Sequence, residues 1–176
     1  MNGKEFITQN TKETQKLGGI LAKEIVSKPS SEKAAVIGLE GELGAGKTTF
    51  IKGFAKALGI KEKILSPTFV LIKSYKIGKS AIHPLENSRA TSRGSRVGGM
   101  ADLPTNEYKF LVHIEAYRLK DHRGLLPLGI KEILADPQNI ILIEWSDRVA
   151  KILPRKYIKI HVDHIEENIR KIRIRT

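Results

Sequence analysis

Residues 41–48 read Gly-Glu-Leu-Gly-Ala-Gly-Lys-Thr, the G-x-x-x-x-G-K-T spacing of a phosphate-binding loop. An apolar run ends just before it, at Leu39, and an amphipathic one opens at Lys47. A strand–loop–helix unit of this kind demands an α/β fold. The backbone N–H groups of Glu42, Leu43, Gly44, Ala45 and Gly46 must curl around a phosphate, and side chains would obstruct that approach. Glycine has no Cβ and adopts the dihedrals required. The positive N-terminus of the following helix points at the same phosphates. Lys47 adds a point charge that reaches the β- and γ-phosphates of a bound ATP, and the Thr48 hydroxyl is a hard oxygen ligand for Mg²⁺.

Such a loop needs an acid at the carboxyl end of a neighbouring strand. Two apolar runs end in one. Phe110 to Ile114 is followed by Glu115, and Ile140 to Ile143 by Glu144. Both carboxylates are expected at the sheet edge where α/β folds bind ligands. Ser66-Pro67-Thr68 sits in the first strand-like run after the loop's helix, where Thr68 can sense the γ-phosphate or merely accompany a kink. Trp145, which follows Glu144, either covers the nucleotide or fills the core. His113 is expected to pack or hydrogen-bond rather than bind metal. His161 and His164 are three apart on a strand, face opposite sides and cannot share a zinc. Cysteine is absent, which excludes a disulfide scaffold and a thiol nucleophile.

Periodicity supplies the remaining elements. A helix is expected over 11–27, with Thr11 as its N-cap and Leu17, Ile20, Leu21 and Ile25 on one face. Strands are expected at 34–39, 64–75, 110–115 and 139–144, and helices at 47–58, within 124–135 and at 146–153. Residues 158–162 and 169–174 alternate as a terminal hairpin with a turn at 166–168. The runs at 69–72 and 140–143, four residues each, are far short of the ~20 that a membrane helix needs. With 40% hydrophobic and 28% charged residues, the chain is neither disordered nor fibrous. A single domain spanning 1–176 is expected, in the cytoplasm. Residues 79–104 are rich in Gly, Ser, Thr, Asn and Pro and lack aromatics, so they are expected to form a flexible loop insertion. The net charge is +12, compatible with a nucleic acid, a nucleotide or an acidic partner.

Four segments in this order resemble one known family. They are Gly41 to Thr49, Ser66-Pro67-Thr68-Phe69, His113-Ile-Glu-Ala-Tyr117-Arg118-Leu119 and Ile143-Glu144-Trp145. Together they resemble the bacterial TsaE family, over nearly the whole chain. The resemblance implies a small P-loop ATPase that assists threonylcarbamoylation of the adenosine beside the tRNA anticodon. Its partners would be TsaD, which carries the transfer, and TsaB. Phosphate-binding roles then fall on Gly44, Gly46, Lys47, Thr48 and Thr49, and magnesium on Thr48 and Glu144. Glu115 stands where the family usually has Asp, and Trp145 matches the family's Trp. Thr11 is expected near the adenine. Segment 79–104 is longer than the family's usual connection.

The expected fold is a P-loop NTPase-like three-layer sandwich: a mainly parallel central sheet flanked by helices, with antiparallel C-terminal strands. Lys47, Glu115 and Thr68 are the expected catalytic residues, with ATP and Mg²⁺ as cofactors. Two other readings stay open. A small kinase would need an acceptor pocket and an Arg-bearing lid. An RNA-binding module would use the basic C-terminal stretch, where 150–176 carry eight Lys or Arg against three acids.

Overall fold

A computed structural model describes residues 3–28, 32–65, 71–78 and 108–176. Thr68 and the segment 79–104 lie outside the described residues. The elements follow the order β1 (Lys4–Thr8), α1 (Thr11–Val26), β2 (Ala35–Glu40), α2 (Lys47–Ala57), β3 (Ile72–Lys76), β4 (Phe110–Glu115), a 3₁₀ segment (His122–Leu128), α3 (Ile130–Ala135), β5 (Asn139–Glu144), a second 3₁₀ segment (Ser146–Ile152), β6 (Ile158–His164) and β7 (Arg170–Arg175).

The seven strands form one sheet in the order β1-β7-β6-β2-β5-β4-β3. The ladders β6–β2, β2–β5 and β5–β4 are parallel; β1–β7, β7–β6 and β3–β4 are antiparallel. The expected parallel centre and antiparallel C-terminal strands are both present; the pairings not expected are the antiparallel β3–β4 at one flank and β1–β7 at the other. The reason at one flank is β1, whose only partner, β7, lies at the far end of the sequence. No local pattern in Lys-Glu-Phe-Ile-Thr announces it.

The central strands read as continuous apolar runs because both faces are covered. Alternation sorts their side chains into two clusters. Ile37, Leu39, Leu111, Ile140 and Leu142 join α1 and α2 residues such as Leu21, Phe50 and Phe54. Val36, Val112, Ile114, Ile141 and Ile143 join Leu125, Ile130 and Val149 on the opposite face. Helices α1 and α2 meet at glycines. A Cβ at Gly18 would strike the Phe50 carbonyl, and one at Gly53 would strike the Gln15 backbone.

Several boundaries differ from expectation: of the strand expected at 64–75, only residues from Ile72 on are strand among those described, and the helix expected at 146–153 is a 3₁₀ segment. Asn10, not Thr11, caps α1: its Oδ1 accepts from the Glu13 N–H at 3.0 Å, and Glu13 Oε2 accepts from the Gln9 N–H at 2.7 Å. This reciprocal pair satisfies two otherwise orphaned donors, leaving Thr11 as the first helical residue. The expected helix within 124–135 is broken at Gly129 (φ 73°), with Pro127 removing a donor from the turn before it.

Candidate functional site

Strand β2 delivers the chain to the loop, and three glycines turn it. Gly41, Gly44 and Gly46 all have positive φ (132°, 76° and 107°). Gly41 also lies against β6, where a Cβ would meet the Val162 carbonyl oxygen. No atom lies within 4 Å of the place a Cβ on Gly44 would take, so the inner curve of the loop stays open. Ala45 closes the turn by donating its N–H to the Glu42 carbonyl at 3.2 Å and is buried. Leu43 is exposed.

Lys47 is buried at the first position of α2. Its Nζ donates to the Gly41 and Glu42 carbonyls, each at 2.8 Å. The ammonium stands 4.1 Å from the centroid of the Trp145 ring, within cation–π range. Burial pushes its pKa below the ordinary lysine value, against the opposing pull of Glu144, Glu115 and Asp147.

The two strand-end acids arrive side by side, since Glu115 and Glu144 are register partners on the parallel strands β4 and β5. Both are buried. Thr48 Oγ1 lies 2.9 Å from Glu144 Oε1 and 3.1 Å from Oε2, so one hydroxyl hydrogen is shared by the whole carboxylate. His113 Nε2 lies 3.0 Å from the same Oε1. Glu115 Oε1 accepts from the Tyr117 N–H at 3.1 Å. Lys47, Thr48, Thr49, Glu115, Glu144 and Trp145 all line one cavity of about 410 Å³ together with the loop.

Trp145 is the only described non-glycine residue with positive φ (59°). Its N–H donates to the Leu39 carbonyl at 2.9 Å, which holds the chain in this conformation and aims the indole over Lys47. The Tyr117 ring packs against it at a tilt of 49° with centroids 5.0 Å apart, and the Arg148 guanidinium is 5.4 Å from both rings. Spacing carries no signal for Arg148, because it sits in an irregular 3₁₀ segment. Arg170 is equally hidden. It leaves β7 beside Gly46 and lines a small hollow with Thr11, Thr14, Thr49 and Asn168. Thr11 thus reaches the flank of the loop.

The donor set fits a magnesium ion carried with a nucleotide. Mg²⁺ takes hard oxygen ligands and is usually held by one or two protein oxygens plus phosphates and water, and Thr48 with Glu144 supplies that pair. Among the described residues no cluster of three or more His, Asp or Glu offers an all-protein metal cage. Also among the described residues, no helix is long and apolar enough to cross a membrane.

The model of the TsaE family, threonylcarbamoyl adenosine biosynthesis protein TsaE, matches residues 8–85 and 103–172. Curated relatives carry the name tRNA threonylcarbamoyladenosine biosynthesis protein TsaE. The one from Bacillus subtilis is 32% identical over 165 residues, covering 94% of this chain and 80% of its own. The one from Aquifex aeolicus is 30% identical over 173 residues, covering 97% and 95%. Among solved structures, the crystal structure of Bacillus subtilis YdiB is similar, with a TM-score of 0.64 and 25% identity over 98% of this chain and 84% of that one.

Proposed function

The chain belongs to the TsaE family of tRNA threonylcarbamoyladenosine biosynthesis proteins, and from that premise we propose that it is a magnesium-dependent ATPase assisting a TsaD–TsaB pair in that modification. The observation that carries this reading is the convergence at one loop of a buried ammonium and a threonine hydroxyl fixed on a buried carboxylate.

The backbone N–H groups of Glu42, Leu43, Gly44 and Gly46 and the N-terminus of α2 grip the phosphates, while the Ala45 N–H closes the turn on the Glu42 carbonyl. Lys47 stabilises the charge that develops on the γ-phosphoryl group as a water attacks it in line. Thr48 and Glu144 would hold a magnesium ion, which when bound would neutralise phosphate charge. Glu115 would orient the attacking water or water bound to the ion. Trp145 lies over the Lys47 ammonium and shields it from bulk solvent. Thr11 and Arg170 flank the loop where the nucleoside end would lie, and Thr68 would report the γ-phosphate. Glu115 is one methylene longer than the family's usual Asp, and a displacement of about 1 Å can cost ~10²-fold in rate. Hydrolysis by the isolated chain is therefore slow, and TsaD–TsaB raises it by completing the site.

Calorimetry tests this directly. Wild type should bind ATP more tightly with Mg²⁺ than without. Lys47→Ala should lose binding under both conditions, and Glu144→Ala chiefly the magnesium-dependent part. An equal loss for Glu144→Ala with and without Mg²⁺ removes Glu144 from the ion. A pull-down with TsaD and TsaB that is indifferent to ATP, together with an unchanged hydrolysis rate, removes the partner role.

A further inference from the structure

His113 occupies the middle of β4 and is fully buried. It lies two residues before Glu115, so both side chains emerge on the same face. Its register partner on β5 is Leu142, and Glu144 comes two residues later on that neighbouring strand. The imidazole thus lies below the carboxylate, on the core side, while Thr48 meets it from α2. His113 Nε2 and Thr48 Oγ1 converge on the same Glu144 oxygen, Oε1, at 3.0 and 2.9 Å.

A carboxylate can only accept, so Nε2 carries the hydrogen of this contact. The other ring nitrogen, Nδ1, is buried with no hydrogen-bond partner among the described residues. Burying a polar ring in an apolar core with only one of its nitrogens bonded costs free energy. That cost is offset by a charge-assisted bond to Glu144. An apolar residue would fill the space without it.

We propose that His113 is a positioning residue for the metal-binding carboxylate. Its Nε2–H pins Oε1 from the core side, which fixes the rotation of the Glu144 carboxyl group and leaves Oε2, 3.1 Å from Thr48 Oγ1, free of His113. This is the arrangement by which outer groups orient a metal ligand, and losing such a group typically costs 10- to 100-fold in metal affinity. The proposal rests on the reading of Glu144 as a magnesium ligand.

The test compares His113→Leu and His113→Gln with wild type in ATP titrations with and without Mg²⁺. The amide nitrogen of glutamine can replace Nε2 as a donor to Glu144; leucine cannot. The expected result is that His113→Leu loses roughly 10- to 100-fold of the magnesium-dependent gain in affinity. His113→Gln should recover most of it, with magnesium-free binding unchanged in both. Loss of binding alike in both conditions, or no rescue by glutamine, overturns the positioning role. If wild type itself gains nothing from Mg²⁺, the fault lies with the magnesium reading and not with His113. A second measurement needs neither variant nor ligand. Nitrogen-15 NMR of wild type should find the His113 hydrogen on Nε2 and not on Nδ1 alone, and the Nδ1–H tautomer alone would overturn the proposal.

Discussion

Lys47 illustrates how one side chain is strained by what it serves. Its ammonium is buried, and burial is the main cause lowering its pKa from 10.5. The unfolded chain therefore binds more protons than the folded one between the depressed value and 10.5. Stability contributed by this residue is smallest at low pH and rises as pH climbs through that window. Urea midpoints for wild type and Lys47→Met, compared from neutral pH into the alkaline range, should show wild type gaining on the variant. A pH-independent difference would mean that the burial is not felt. Lys47, Thr48, Glu115, Glu144 and Trp145 are legible in the sequence because each sits at a fixed offset from a glycine loop or a strand end. Arg148 and Arg170 are not, since only the fold brings them near. His113 reads from sequence as a packing or hydrogen-bonding residue, but its partner lies 31 residues further along the chain and no local spacing links the two.

At the scale of elements, α1 and α2 are held together by the absence of side chains. Gly→Ala within a helix normally stabilises by up to about 1 kcal/mol, but a Cβ on Gly53 has the Gln15 backbone in its way. Gly53→Ala should instead destabilise by about 1–3 kcal/mol, as overpacking does, and chemical denaturation gives the sign. Strands β4 and β5 fall within the residues that their apolar runs predict, because burial on both faces writes itself into consecutive apolar residues, three in Phe110–Val112 and four in Ile140–Ile143. Strand β1 and the Asn10 cap are not legible in this way. The first depends on a partner 170 residues away by register (Lys4 with Ile174), and the second on an amide competing with a threonine one residue later.

For the molecule as a whole, charge is distributed unevenly. The basic C-terminal strands are largely paired: Lys159 with Glu40 at 2.7 Å, Arg173 with Asp163 at 2.7 Å and Lys171 with Glu5 at 3.6 Å. By contrast, Lys12, Lys16 and Lys23 on α1 and Lys52 and Lys56 on α2 are exposed, and no ion pair holds them among the described residues. These exposed lysines on α1 and α2 therefore form a cationic surface distinct from the terminal hairpin, where sequence alone puts the basic stretch. Any salt-dependent association of this chain with tRNA should fall with Lys16→Glu plus Lys52→Glu and hold with Lys171→Glu. Filter binding across a salt series measures it, with the log–log slope shrinking by about one for each phosphate no longer neutralised. The sheet order carries one more consequence. Among the described strands β1 comes first in the chain, yet its place in the sheet lies beyond β7, which comes latest. During synthesis β1 therefore lacks its neighbour until β7 has been made, and Thr11 cannot face Arg170 before then. A nascent chain should consequently assemble its phosphate loop early and acquire its full grip on nucleotide only once β7 has joined the sheet.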